Sequence, residues 1–334
     1  MKRTWYELCQ LGVQGRGWAD TAHPYDRLPA RAEALVPESV WDLSRQSTGF
    51  YVDFRSNAAE LHARTVLRVP PYEHQAYIKY LDLYARDAGG RWRWAGMSKY
   101  GFIPSGQTPL IEGLSPEWRT YRLYLPLFYA VERIELGLPS EARLELVPPP
   151  VTKPIVVYGT SIVHGAASSR PGMAWTSILG RRLDWPVINL GFSGSACMEP
   201  DLGRIIAELD AALFVIDPLP NMSRETVELN AEPFLRHLLA AHPATPILLV
   251  EDRAHSQEWL YPAMRRDREA NRAAFRALYD RLRAGGTVNL AYTEGDPLLG
   301  DDSEATVDGS HPSDLGFVRY ADCLQPIVTD LLQS

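Results

Sequence analysis

Through the first 147 residues, apolar and polar side chains alternate in short bursts. Gly49-Phe50-Tyr51-Val52-Asp53-Phe54, Ala63-Arg64-Thr65-Val66-Leu67-Arg68 and Arg119-Thr120-Tyr121-Arg122-Leu123-Tyr124-Leu125 approach the period of two required of a strand with one buried face. Turn formers such as Ala88-Gly89-Gly90 separate these bursts. They predict a mostly antiparallel β-sandwich, with a less regular arm before about residue 45. The rhythm changes after Leu146-Val147-Pro148-Pro149-Pro150-Val151-Thr152-Lys153-Pro154, where prolines remove backbone donors and stiffen the chain. A domain boundary is placed there, giving domains 1–147 and 148–334.

In the second domain, short apolar runs alternate with longer helical patterns, the signature of a parallel sheet covered by helices. Strands are predicted at Ile155–Tyr158, Val187–Leu190, Leu213–Ile216, Ile247–Val250 and Val288–Ala291, and helices at Ala174–Leu183, Ala263–Ala284 and Ser313–Leu332. The expected architecture is a three-layer α/β/α domain, doubly wound around a central parallel sheet. Ligands in such domains sit beyond the carboxyl ends of the strands.

Composition narrows the function classes. Of 334 residues, 46% are hydrophobic and 22% charged, so the chain has ample material for folded cores. The balance of 34 Lys+Arg against 41 Asp+Glu, a net charge of −7, lacks the basic surplus of a nucleic-acid binder. Lysine occurs only at Lys2, Lys79, Lys99 and Lys153, which provides no polybasic membrane patch. Met1-Lys2-Arg3 runs into Thr4-Trp5-Tyr6-Glu7 and does not read as a signal peptide, while the most apolar stretch, Leu123–Ala130, is too short for a membrane span. Cys9, Cys197 and Cys323 are scattered and odd in number, arguing against a disulfide framework or a zinc cluster. A reduced, cytoplasmic setting is expected.

Polar residues suited to acyl transfer follow the predicted strands. Ser161 stands in Gly159-Thr160-Ser161, between a strand and the start of a helix, where its hydroxyl faces a cleft or caps the helix. Asp308-Gly309-Ser310-His311-Pro312 precedes the last helix; an aspartate three residues before a histidine can orient the imidazole, and an ordinary surface turn is the alternative. Gly194, in Gly191-Phe192-Ser193-Gly194-Ser195, permits close approach of its N–H to a substrate oxygen, and Asn221, in Asp217-Pro218-Leu219-Pro220-Asn221, offers an amide donor. Turn and capping roles compete for both.

In order, spacing and strand context, Gly159-Thr160-Ser161, Gly194, Asn221 and Asp308/His311 resemble the four sequence blocks of the SGNH or GDSL hydrolase superfamily. Thr160 replaces the aspartate of the usual Gly-Asp-Ser, and Leu219-Pro220-Asn221-Met222 replaces Gly-x-Asn-Asp. Upstream, Tyr80-Leu81-Asp82-Leu83-Tyr84 resembles the GxDLY signature of the β-sandwich that precedes some SGNH esterases, with Tyr80 in place of its glycine. Gly191-Phe192-Ser193-Gly194 and Pro220-Asn221-Met222-Ser223 look like the same subgroup. The resemblance implies a flavodoxin-like catalytic domain with Ser161 as nucleophile, His311 as general base and Asp308 as its orienter. It also implies an oxyanion hole made by the Ser161 and Gly194 N–H groups and the Asn221 side chain.

His164 lies one turn after Ser161, as a pocket or packing residue. His23, His62, His74, His237, His242 and His255 show no metal-ligand spacing, and neither a metal nor a cofactor is expected. Glu251-Asp252-Arg253 reads as a salt-bridged strand end or as substrate contacts; Trp92, Trp94, Trp175 and Trp259 read as packing residues or sugar platforms. Arginines from Arg265 to Arg283, interleaved with Asp267, Glu269 and Asp280, read as a solvated helix face. The expected activity is hydrolysis of short acyl esters, acetyl foremost, of a carbohydrate or polyol through an acyl-enzyme. The alternatives are a lipid or lysophospholipid esterase and a non-catalytic carbohydrate-binding protein on a hydrolase scaffold. The expected partner is an acylated small molecule or oligosaccharide, with no nucleic acid and no membrane; homo-oligomer formation stays open.

Overall fold

The computed structural model describes residues 2–68, 80–98 and 105–333; His74 lies outside them. The chain forms two compact units, Met1–Pro29 with Ser44–Val151 and Arg170–Gly172, and Ala30–Leu43 with Thr152–Ser169 and Met173–Ser334.

The first unit contains two antiparallel sheets. One has the order β1-β8-β3-β6, from β1 (Arg3–Glu7), β3 (Leu61–Arg68), β6 (Ser105–Ile111) and β8 (Ala130–Pro139). The other has the order β5-β4-β7-β2-β9, from β2 (Tyr51–Ser56), β4 (Asp82–Arg86), β5 (Trp92–Met97), β7 (Arg119–Tyr124) and β9 (Leu144–Leu146). Val52, Phe54, Leu83 and Leu123 of one sheet share a core with Leu61, Ala63, Ile134 and Leu136 of the other, which makes the unit a sandwich. The arm expected to be less regular contributes β1, whose Arg3–Glu7 pairs with Pro139–Glu135. Five residues with little alternation of burial give a weak sequence signal, and pairing with β8 supplies what the local pattern lacks.

Asp82, of the GxDLY-like segment, is fully buried in this unit. Its carboxylate accepts from the Trp94 Nε1–H at 3.0 Å, the Gly172 N–H at 2.8 Å and the Arg170 guanidinium at 2.9 Å. A Cβ on Gly172 would stand 2.4 Å from the Tyr84 ring, so only glycine fits beside this carboxylate.

The second unit is built on a parallel sheet in the order β11-β10-β12-β13-β14, from β10 (Ile155–Gly159), β11 (Val187–Gly191), β12 (Leu213–Asp217), β13 (Ile247–Val250) and β14 (Leu290–Thr293). In sequence order this is 2-1-3-4-5, the flavodoxin-like winding. On one face, Val157, Val215 and Leu248 pack with Trp175 and Ile178 of α3 (Trp175–Leu183) and Phe317 and Leu324 of α8 (Asp314–Gln333). On the other, the Tyr158 ring stacks on Phe234 of α6 (Glu232–Ala241) at 4.9 Å between centroids. The remaining helices are α1 (Glu38–Ser44), α2 (Ser161–His164), α4 (Pro200–Ile206), α5 (Arg224–Thr226) and α7 (Pro262–Ala284). β14 begins two residues later than the sequence pattern predicts. Val288 is 81% exposed, and Asn289 turns its amide to the His242 and Thr245 carbonyls before the strand starts. Among the described residues, no helix is long and apolar enough to cross a membrane.

Candidate active site

Parallel pairing aligns the ends of three adjacent strands, β11, β10 and β12. Gly159 lies opposite Gly191 on one side and Asp217 on the other, so the segments carrying Ser161, Gly194 and Asn221 leave the sheet at the same level. The Phe192 N–H donates to the Gly159 carbonyl at 2.8 Å, extending this alignment one residue beyond the sheet. Gly159 itself admits no side chain, because a Cβ there would meet the Asp217 carbonyl oxygen at 2.4 Å.

Ser161 opens α2 but does not cap it. The cap is Thr160, whose hydroxyl accepts from the Ile162 N–H at 3.3 Å. A threonine where the resembling family has aspartate thus retains a capping oxygen, and the Ser161 hydroxyl is engaged elsewhere. Its Oγ lies 2.9 Å from His311 Nε2, and His311 Nδ1 lies 2.7 Å from Asp308 Oδ2. The carboxylate calls for a proton on Nδ1, which leaves Nε2 as the acceptor for the serine hydroxyl.

Asp308 holds its own loop as well as the imidazole. Its Oδ1 accepts from the N–H groups of Ser310, at 2.9 Å, and His311, at 2.7 Å. Partial burial pushes its carboxyl upward, but the hydrogen bonds from the His311 ring and these two N–H groups outweigh burial and keep it below the usual carboxylate range. Gly309, at φ +87°, makes the turn between Asp308 and His311.

Gly194 has φ +71°, which favours glycine, and among the described residues its N–H finds no hydrogen-bond partner. Hydrogen bonding fixes the amide of Asn221 with its oxygen toward the N–H groups of Ser195, at 3.1 Å, and Ala196, at 3.2 Å. The two donor-bearing segments are therefore joined, and the Asn221 NH2 points away from that joint. Asn189 ties the same region down from beneath, donating to the Val163 carbonyl at 2.6 Å and to Thr176 Oγ1 at 2.9 Å.

Other residues singled out in the sequence fall outside this arrangement. His164 is fully buried, and its backbone nitrogen lies so close to Gly191 that a Cβ there would stand 2.2 Å from it. Trp175 is core, while Trp259 is 76% exposed. Among the described residues, one group, Glu60, His62 and Glu112, brings three ligand-type atoms within 4.8 Å of one another. The Arg3 guanidinium already supplies a cation there, 2.7 Å from Glu60 and 2.9 Å from His62 Nε2.

Two residues that the sequence left unresolved support the site. Arg253, 1% exposed, pairs with Asp252 and donates to the Ser310 carbonyl from Nε at 3.3 Å and from Nη2 at 3.1 Å, bracing the residue before His311. Asp217, fully buried before the Asn221 segment, accepts from the Tyr320 hydroxyl at 2.7 Å; among the described residues its Oδ1 has no partner. Arg253 looks in sequence like any charged strand end, because its partner Ser310 is 57 residues away.

Residues 152–329 match the GDSL-like Lipase/Acylhydrolase family. The chain belongs to that family. Residues 3–144 of this GDSL-like hydrolase match the GxDLY region, the N-terminus of SGNH-hydrolase-type esterases. Over 99% of its length the hydrolase is 30% identical to a Bacteroides ovatus protein described as a GDSL-like lipase, covering 98% of that chain with a TM-score of 0.93. A salicylyl-acyltransferase from a tetracycline biosynthetic pathway shares the fold at 20% identity and a TM-score of 0.76, over 92% of this chain and 89% of that one. So does a family two carbohydrate esterase from Clostridium thermocellum, solved in complex with cellohexaose, at 12% identity and a TM-score of 0.64 over 86% and 95% of the two chains. No curated protein matches the chain. The GDSL-like hydrolase is a serine ester hydrolase of the SGNH type.

Proposed function

We infer that Ser161, His311 and Asp308 form the catalytic triad and that the hydrolase removes short acyl groups, acetyl foremost, from a carbohydrate or polyol. The observation that carries this reading is the continuous chain from the Asp308 carboxylate through the His311 ring to the Ser161 hydroxyl, with contacts of 2.7 and 2.9 Å. His311 Nε2 takes the Ser161 proton as Oγ attacks the ester carbonyl, and Asp308 stabilises the resulting imidazolium. The oxyanion is received by the Ser161 and Gly194 N–H groups and the Asn221 NH2. His311 then protonates the departing alcohol, leaving an acyl-enzyme on Ser161. A water deprotonated by His311 attacks the acyl carbon, and collapse releases the acid and the Ser161 hydroxyl.

The carbohydrate assignment draws support from the shared fold with the cellohexaose-bound esterase. Hydrolysis of 1-naphthyl acetate by the full chain, compared with Ser161→Ala and His311→Ala, tests the triad. Each substitution is expected to remove essentially all turnover, since the two residues act as one unit. Full activity in Ser161→Ala would refute the reading. An acyl-length series tests the remainder: a preference for long chains would favour the lipid esterase.

A further inference from the structure

Beside the oxyanion segment of the second unit lies a pocket of about 450 Å³. One wall is Leu219 and Pro220, the two residues before Asn221; another is Asp252 and His255, in the stretch leading from β13 to α7; the third is the first turns of α7, including Met264 and Asp267. Two of these walls are attached to the reacting groups. Asn271 of α7 donates to the Met222 carbonyl at 2.7 Å, directly after Asn221. The Ser256 N–H donates to the Gly309 carbonyl at 3.0 Å, and a Cβ on Gly309 would fall 1.8 Å from Gln257 Oε1, so this stretch packs on the loop that carries Asp308 and His311. The pocket therefore lies between the element bearing the proposed oxyanion donor and the element backing the proposed general base.

Its size and lining constrain what enters. A volume of about 450 Å³ is ordinary for a small-molecule site and far exceeds the needs of an acetyl group. Leu219, Pro220 and Met264 offer apolar surface, but Asp267, Asn271 and His255 line the same space. An alkyl chain seated there would strip these polar groups of water without replacing their hydrogen bonds. Among the described residues Asp267 makes no ion pair, and Arg268 beside it, which also lines the pocket, is bound to Glu258. Tyr261, which lines the pocket, is 56% exposed and follows the exposed Trp259 and Leu260 in sequence. An occupant that offers C–H faces to apolar and aromatic side chains and hydroxyls to a carboxylate and an amide satisfies both kinds of wall.

We propose that this pocket receives the alcohol arm of the ester, a pyranose-sized polyol whose C–H face lies on Tyr261 and Met264 and whose hydroxyls bond Asp267 and Asn271. The proposal rests on the esterase reading and names the part of the substrate that the reading leaves open.

The test uses the full chain and 6-O-acetylglucose. In Ser161→Ala, where the ester is expected to persist, saturation-transfer NMR should show the sugar ring protons in contact with the protein. Adding Asp267→Ala or Met264→Trp should weaken that binding at least tenfold. Asp267 is exposed, so its substitution leaves a folded protein even if the bulkier change at Met264 does not. In the otherwise unaltered enzyme, Asp267→Ala should lower kcat/KM on 6-O-acetylglucose at least tenfold relative to that on 1-naphthyl acetate. Absence of sugar binding, or binding indifferent to both substitutions, would overturn the pocket even with 1-naphthyl acetate still hydrolysed. A shift in acyl-length preference instead would place the acyl arm there and equally overturn it. Asp267-dependent sugar binding without hydrolysis of either ester would retain the pocket and refute the esterase reading.

Discussion

Each unit of the hydrolase buries an aspartate completely, and the two are treated in opposite ways. In the β-sandwich unit, Asp82 is surrounded by donors: the Arg170 guanidinium, the Gly172 N–H and the Trp94 indole N–H. In the α/β unit, Asp217 has one hydrogen bond, from Tyr320, and an Oδ1 without a partner among the described residues. Burial pushes the Asp217 carboxyl up to about 7, against the opposing Tyr320 hydrogen bond, with the Asp252 charge adding to the rise. A buried charge is tolerated where partners replace its water; where they are missing, the group holds its proton instead. The paired carboxylate belongs to structure. The other lies at a strand end, opposite Gly159 and four residues before Asn221, beside the segments proposed to react.

The largest expected effect concerns Asp217. Its folded-state pKa is raised above the unfolded value, so the folded form binds the proton more tightly. The stability it contributes is therefore present in full below about pH 4 and is lost as pH rises through about 7. At about 1.4 kcal/mol per pH unit, the loss approaches about 4 kcal/mol as an upper bound. Asp217→Asn, which cannot ionise, should therefore gain on the wild type in urea denaturation between pH 4 and 8, with the gap constant above that. A gap independent of pH would show that Asp217 ionises freely when folded.

Asn221→Ala should act on the reaction rather than on stability. If its NH2 meets the oxyanion, kcat should fall by about 10²-fold, with KM little changed. A change confined to KM would mean that the side chain binds ground-state substrate only.

Asp82→Asn sharpens the contrast from the structural side. The amide keeps the shape but loses the charge facing Arg170, and its NH2 replaces one of the two acceptor oxygens, facing either the Trp94 N–H or the Gly172 N–H. A loss of about 2 kcal/mol in unfolding free energy, read as a lower urea midpoint, is expected. An unchanged midpoint would show that these contacts contribute no net stability.

What the sequence made legible was whatever rests on local pattern. Apolar runs such as Ile155–Tyr158 and Ile247–Val250 marked the strands to within a residue, because a strand buried on both faces has few alternatives. Asp308 and His311 were readable as a pair because three residues on a tight loop bring them together in any such turn. Val288 misled, since an apolar residue on an exposed turn mimics a strand start. Thr160 as the cap of α2, Arg253 as a brace on Ser310 and the Asp267 pocket were not legible. Each depends on which direction a side chain takes or which distant backbone atom it meets, and neither leaves a periodic trace.

The proposed chemistry requires Ser161 as the activated hydroxyl. The most direct measurement is to treat the full chain with a fluorophosphonate at neutral pH and map the modified peptide by mass spectrometry. A single adduct on Ser161, lost in His311→Ala because the general base is gone, is the predicted result. An adduct on Ser193 or Ser195 with Ser161 untouched would contradict it.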